Sequence, residues 1–123
     1  MRRFILLFFA FALSISFTFA QSTKASYYHS KFNGRKTASG QTYFDHLKTA
    51  ASNVYKLGTQ LLVTNRETGK SVKVVVNDRM ATRYRSNRVD LSKSAFSSIA
   101  SHAEGLVPVE IKVLNGHEET QVL

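Results

Sequence analysis

Beyond residue 20 the chain is built from short runs in which apolar and polar residues alternate, and helical periodicity is scarce. Val72, Val74 and Val76 share one face of such a run, while Lys73, Val75 and Asn77 share the other, so the first face is expected in a core. Val107 to Val113 alternates in the same way, with Val109, Ile111 and Val113 inward and Pro108 at a tolerated place near the strand start. Gln60–Asn65 and Ser71–Asn77 flank Arg66-Glu67-Thr68-Gly69-Lys70, which predicts a hairpin. Lys24–His29 reads as a strand and Thr49–Ala51 as a short strand of small residues. Asn33-Gly34 and Ser39-Gly40 mark turns that frame a loop over 34–40. One helix is expected from Lys93 to about Ser101, with Ser92 as N-cap and Ala95, Phe96, Ile99 and Ala100 on one side. Six or so short strands and one small helix in about a hundred residues point to a closed β-barrel. Closure protects strand edges in a chain that has no Cys to form disulfides.

The first twenty residues read as an export signal. Arg2 and Arg3 form a basic start, Phe4 to Phe19 is almost wholly apolar, and Thr18-Phe19-Ala20 offers small residues for cleavage. The expected organisation is a signal over 1–20, one barrel domain over 21–114 and a short polar tail over 115–123 that frays. The expected destination is periplasmic or extracellular, with no membrane span after cleavage, and without Cys the chain is not a lipoprotein. Loss of Arg2 and Arg3 takes the formal charge from +9 to +7, which suits an anionic wall polymer or membrane surface. No nucleic-acid motif is present. A monomer is expected.

Candidate chemistry is sparse, since the chain has eight acidic residues against seventeen basic ones. Asp78, in Asn77-Asp78-Arg79, stands where a strand ends, at the place where a sheet edge can hold a carboxyl at the mouth of a groove. It either acts chemically or satisfies backbone amides at a barrel turn. Asp90 precedes Ser92 and the expected helix, where a carboxylate favours the helix N-terminus, so a structural role is the leading reading. Tyr27, Tyr28, Tyr43 and Tyr55 are candidates either to stack on sugar rings or to pack the barrel. Arg79, Arg83, Arg85 and Arg88 form a basic cluster suited to anionic polymer or sugar carboxyl groups. The four His lie at 29, 46, 102 and 117 without ligand spacing, so neither a metal nor a cofactor is expected.

In order along the chain stand Ala25-Ser26-Tyr27-Tyr28, Phe32-Asn33-Gly34-Arg35-Lys36-Thr37-Ala38-Ser39-Gly40, Leu57-Gly58-Thr59, Val63-Thr64-Asn65, Asn77-Asp78-Arg79 and Val89-Asp90-Leu91-Ser92. Together they resemble the rare lipoprotein A (RlpA) family. The resemblance spans about residues 24–114 and implies a mainly β fold, a six-stranded double-psi β-barrel with one or two short helices. It also implies an endolytic peptidoglycan transglycosylase, a lyase that cuts MurNAc–GlcNAc bonds in glycan strands stripped of stem peptides and leaves 1,6-anhydro ends in cell-wall remodelling.

The family carries a Glu after the Gly of its Thr-Ala-x-Gly motif and a His after Thr-Ala-Ala. Here those positions hold Gln41 and Ser52, and Met80-Ala81 replaces the usual Gly-Pro after Asn-Asp-Arg. Gln41 has no proton to give, so the resemblance leaves Asp78 as the catalytic acid. Gln41, Ser52, Tyr28, Arg79 and Asp90 are then expected to bind substrate. Asp45, after Phe44, is a further candidate to replace the missing Glu in space. The alternative is a barrel of the expansin-like kind that grips glycan without cutting it, favoured by Gln41 and Ser52.

Overall fold

A computed structural model describes residues 20–81 and 88–114. The expected signal and tail therefore lie outside the described residues, save Ala20, as do Arg83, Arg85 and His117. Six strands close into a barrel: β1 (Gln21–Tyr27), β2 (Thr49–Ala51), β3 (Gln60–Asn65), β4 (Ser71–Asp78), β5 (Arg88–Leu91) and β6 (Val107–Val113). Their order around it is β1-β5-β2-β4-β3-β6, with β1/β5 and β2/β4 parallel and the other pairs antiparallel. A mixed closed barrel of this kind leaves no strand edge unpaired. Helix α1 (Lys93–Ile99) packs against the barrel, and single 3₁₀ turns lie at Ser30–Phe32 and His102–Glu104. Among the described residues no helix is long and apolar enough to cross a membrane.

The alternating positions fill the interior as their pattern requires. Val72, Val74 and Val76 point inward with Leu61 and Val63, and β6 adds Val107, Val109 and Ile111, with Val113 half-buried against them. Phe96 and Ile99 of α1 cover one side of this core, and Ala100 is only partly buried. Buried Asn65 ties the β3–β4 hairpin to the helix: its Nδ2 donates to the Ile99 carbonyl at 2.8 Å while its Oδ1 accepts from Glu67 N.

Three expectations shift. β1 begins at Gln21, because antiparallel pairing with β6 organises residues that are too polar to alternate, and it ends at Tyr27, because His29 caps the next turn. α1 ends at Ile99; Ser101 instead opens a capping box with Glu104 around the following turn. Ser92 does occupy the N-cap position, but its hydroxyl donates to the Leu47 carbonyl and accepts from Thr49 N, stitching the helix start to β2 rather than capping it.

Candidate functional site

The site starts from a bulge. Ala50 pairs with Val76, but Ala51 pairs with Asp78, so β4 carries one residue more than β2 here. Strict alternation would place Asp78 on the core face and Asn77 outside. The extra residue turns Asn77 inward, to 3% exposure, and swings Asp78 out of the core to the barrel mouth. Bulges commonly re-aim a side chain in this way.

Ala51 pairs on its other side with Asp90 of β5, which in turn pairs with Ser26 of β1. Ser26, Asp90, Ala51 and Asp78 thus form one row across four strands. Asp78 and Asp90 both line a cavity of about 290 Å³, together with Tyr28, Tyr43, Phe32, Ala51, Arg79 and Met80. Tyr28 and Tyr43 stack at 4.2 Å between centroids, and Phe32 meets Tyr28 edge-on, which gives the cavity an aromatic wall. The other side is an arm over residues 34–43, closed by paired amides of Gly34 with Tyr43 and of Thr37 with Gln41, and it brings Arg35, Lys36 and Thr37 to the cavity. Gly40, at φ 91, makes the tight turn that other residues resist.

The two carboxyls are held differently. Asp78 Oδ1 accepts from the Ala38 and Arg79 amides, both at 2.9 Å, and Oδ2 accepts from the Tyr28 hydroxyl at 2.6 Å. Asp78 therefore latches the arm to β4 and also faces the cavity. Among the described residues Asp90 accepts one hydrogen bond, from Ser26 Oγ at 3.0 Å. Burial pushes the Asp90 carboxyl above the usual carboxylate range; Ser26 and Arg88 pull it down, and Asp78 adds to the rise. Burial, then the bond to Asp78, raises the Tyr28 phenol far above its ordinary value, so it stays a donor. The Tyr43 phenol is raised likewise, by burial and by its bond to Asp45.

The sequence expectations divide. Asp78, Asp90, Tyr28 and Arg79 meet at one cavity. Asp90 is not a helix-end charge: it lies on β5, facing away from Val89 and Leu91, with Leu91 and Ser92 between it and the helix. Gln41 and Ser52 do not line the cavity. Gln41 Oε1 accepts from Asn77 Nδ2 at 2.7 Å at the turn end of the arm. Ser52 is 2% exposed, and its hydroxyl accepts from the Val54 and Tyr55 amides, which folds a turn.

Asp45 does not replace a missing acid either. It accepts from Tyr43 and Asn33 behind the aromatic wall; burial would raise its carboxyl, but hydrogen bonds from Tyr43, Asn33 and Ser30, with Lys93 nearby, hold it below the usual range. Arg79 Nη1 is occupied by the Ser52 and Tyr55 carbonyls. Tyr27 and Tyr55 pack the barrel, and their hydroxyls donate to the His102 carbonyl and to Gln21. Sequence reasoning missed Ala51, Phe32, Arg35 and Lys36 as lining residues. The signal for the last three lay in the Phe32–Gly40 motif itself, whose turn glycines predict an arm. Among the described residues no group of acidic and His side chains is arranged to hold a metal ion.

Comparison with known proteins places this geometry. A family model described as lytic transglycolase, a double-psi β-barrel domain, matches residues 20–111. A Synechocystis sp. protein described as uncharacterized is 47% identical over 87 residues, covering 71% of this chain and 91% of its own. The endolytic peptidoglycan transglycosylases RlpA of Pasteurella multocida and Campylobacter jejuni are 40% and 42% identical, over 78% and 73% of this chain. The chain spans only 32% of the length of each of those two relatives. Among solved structures, a mutant Clavibacter michiganensis expansin in complex with cellohexaose superposes with a TM-score of 0.65 at 19% identity, covering 81% of this chain and 52% of that one. A Streptomyces papain inhibitor superposes at 0.67 and 19%, covering 83% of this chain and all of that one. At such identities these two show the fold alone. The match over most of the barrel makes this chain a member of the RlpA-like lytic transglycosylase family.

Proposed function

We propose that the protein is an endolytic transglycosylase that cuts MurNAc–GlcNAc bonds in stripped peptidoglycan strands outside the cytoplasm, as a monomer. The observation that carries this reading is the pair of carboxyls on one aromatic-walled cavity, one of them pushed toward its protonated form. Glycosidic cleavage needs a proton for the leaving oxygen and negative charge near the ring as positive charge develops there. Asp90 is suited to the first task and Asp78 to the second. What favours Asp90 over Asp78 as the acid is that, among the described residues, Asp78 has both oxygens engaged by donors, while Asp90 has only Ser26 on one.

The Asp90 proton passes to the glycosidic oxygen as the bond from C1 to that oxygen breaks. The sugar's own 6-hydroxyl then bonds to C1, and its proton returns to Asp90. No water enters the product, and a 1,6-anhydro end results. Tyr28, Tyr43 and Phe32 supply the apolar surface on which a sugar ring stacks.

Digestion of stripped strands followed by mass spectrometry tests this. Anhydro-ended products are expected from the native protein and should fall by about 10²- to 10⁴-fold in Asp90→Asn. A second reading, a barrel that holds glycan without cutting it, is favoured by Gln41 and Ser52 standing outside the cavity at the positions where the family has its Glu and His. Co-sedimentation with strands but no anhydro product from the native protein would establish that reading instead.

A further inference from the structure

Asp45 takes no part in cleavage, yet its carboxyl holds two of the three rings that wall the cavity. Oδ1 accepts from the Tyr43 hydroxyl at 2.8 Å, and Oδ2 accepts from Asn33 Nδ2 at 2.9 Å. The Asp45 amide donates back to Asn33 Oδ1 at 2.7 Å, so residues 33 and 45 are clasped twice. Asn33 directly follows Phe32, and the amides of both close the 3₁₀ turn on the His29 and Ser30 carbonyls. The clasp is anchored on the helix. The Asp45 carbonyl accepts from Ser94 N at 2.9 Å, and the Tyr43 hydroxyl accepts from Lys93 N at 3.1 Å. Tyr43 is 1% exposed, and the single proton of its hydroxyl goes to Asp45. The Tyr43 ring lies flat on Tyr28, with 9° between the planes, and Tyr28 donates to Asp78. A line of contacts thus runs from the start of α1 through Asp45 and Tyr43 to Tyr28 and the Asp78 carboxyl.

We propose that Asp45 is a positioning residue: through Tyr43 and Asn33 it sets the placement of the Tyr43 and Phe32 rings, and with it the affinity for a sugar that stacks on them. This rests on the reading above that the cavity takes glycan, and deepens it. Asp45 does not line the cavity, so it acts through the rings alone. Contact between a ring face and a sugar is a sum of many small attractions, and a gap of 0.5–1 Å forfeits about a quarter to a half of each. A tilt of Tyr43 therefore costs contact with the sugar directly. It also disturbs the Tyr28 ring stacked on Tyr43. Whichever way its amide turns, an Asn at position 45 keeps only one of the two acceptors that Tyr43 and Asn33 use. Exchanging the two residues, Asn33→Asp with Asp45→Asn, keeps all three bonds of the cluster, with donor and acceptor reversed between the two side chains.

Isothermal titration of stripped strands into protein carrying Asp90→Asn, which stops turnover, tests the proposal. Adding Asp45→Asn should weaken binding about five- to tenfold, well below the melting temperature. Adding the exchanged pair instead should restore affinity to within about twofold. Tyr43→Phe keeps the ring but loses the link, so it should weaken binding by itself and add nothing once Asp45→Ala is in place. A carboxyl that only stabilises the fold would lower the melting temperature and leave the affinity of the folded protein unchanged; that result overturns the proposal. An exchanged pair that binds as weakly as Asp45→Asn overturns it too, because charge at position 45 rather than the clasp would then set affinity. Should Asp45→Asn not fold, Tyr43→Phe decides, and unchanged affinity there overturns the proposal. These outcomes are separate from cleavage. Native protein that leaves anhydro ends while Asp45→Asn binds strands undiminished sinks the positioning and leaves the chemistry standing. Binding that weakens and is rescued, without anhydro product from the native protein, does the reverse.

Discussion

Asp78 and Asp90 are both register partners of Ala51, one on each side of it. Two strand spacings therefore separate their backbones, roughly 10 Å. The only side chain between them in the row is a methyl group, which forms the cavity floor at 2% exposure. The acids can then approach a ligand from opposite sides while Asp90 still senses the charge of Asp78.

Enlarging that methyl group should close the site. Ala51→Leu places three more carbons between the carboxyls and against Tyr28 and Tyr43, the buried residues with which Ala51 clusters. Overpacking of this kind costs typically about 1–3 kcal/mol. If the variant folds, as circular dichroism would report, glycan binding should fall at least about tenfold by titration. Undiminished binding would show that ligand does not reach the floor between the acids.

Asp90 makes stability depend on pH in a direction that can be checked. Burial, with a smaller contribution from Asp78, raises its carboxyl, while Ser26 and Arg88 oppose the rise. The fold thus holds this proton more tightly than the unfolded chain does. The associated stability is fully present below the ordinary carboxylate value and is lost as pH rises through the raised value. Asp90→Asn cannot ionise and keeps an acceptor for Ser26 Oγ, so it should lack that loss. Melting curves of the two proteins should nearly coincide at low pH, with the variant gaining as pH climbs to neutrality. A variant that is less stable than the native protein at pH 7 would show that the charged form of Asp90 is the one the fold favours.

The barrel was legible because its core strands alternate without interruption: Val72, Val74 and Val76 and the β6 residues Val107, Val109 and Ile111 lie where period two puts them. The site was legible only in part, because it depends on a departure from that period. Nothing in Val76-Asn77-Asp78 announces an extra residue; the bulge exists because β2 and β4 pair in a register set by the rest of the barrel. Asp90 looked like a helix-end charge along the chain, and only pairing of β5 with β1 and β2 shows that it faces Ser26 and the cavity. The place of Ser52 was hidden for the opposite reason. Its partners, the Val54 and Tyr55 amides, are local, but such a turn leaves no pattern in hydrophobicity.

Tyr28 should act through Asp78 rather than on the sugar alone. Tyr28→Phe removes the 2.6 Å bond to Asp78 Oδ2 but keeps the ring that stacks on Tyr43. Asp78 retains its two amide donors on Oδ1, so the expected change is a looser carboxyl rather than a lost one. Cleavage should show kcat lower by about 10- to 100-fold with KM little altered, since the stacking surface survives. A rise in KM at constant kcat would assign Tyr28 to ground-state binding instead.

Ser52 tests whether the site has moved away from the position that carries His in the family. Its buried hydroxyl accepts from Val54 N at 3.0 Å and Tyr55 N at 3.2 Å, and its own carbonyl helps to hold Arg79. Ser52→Ala removes the acceptor that the Val54 and Tyr55 amides share, at a cost of about 1–3 kcal/mol. For a domain of this size each of those kcal/mol lowers the melting temperature by roughly 4–8 °C. Ser52 does not line the cavity, so the folded variant should cut strands at nearly the native kcat when assayed well below its melting point. The two readouts separate the roles: a drop in melting temperature with kcat intact is what a turn-forming Ser52 requires. A drop in kcat at unchanged melting temperature would return Ser52 to the chemistry.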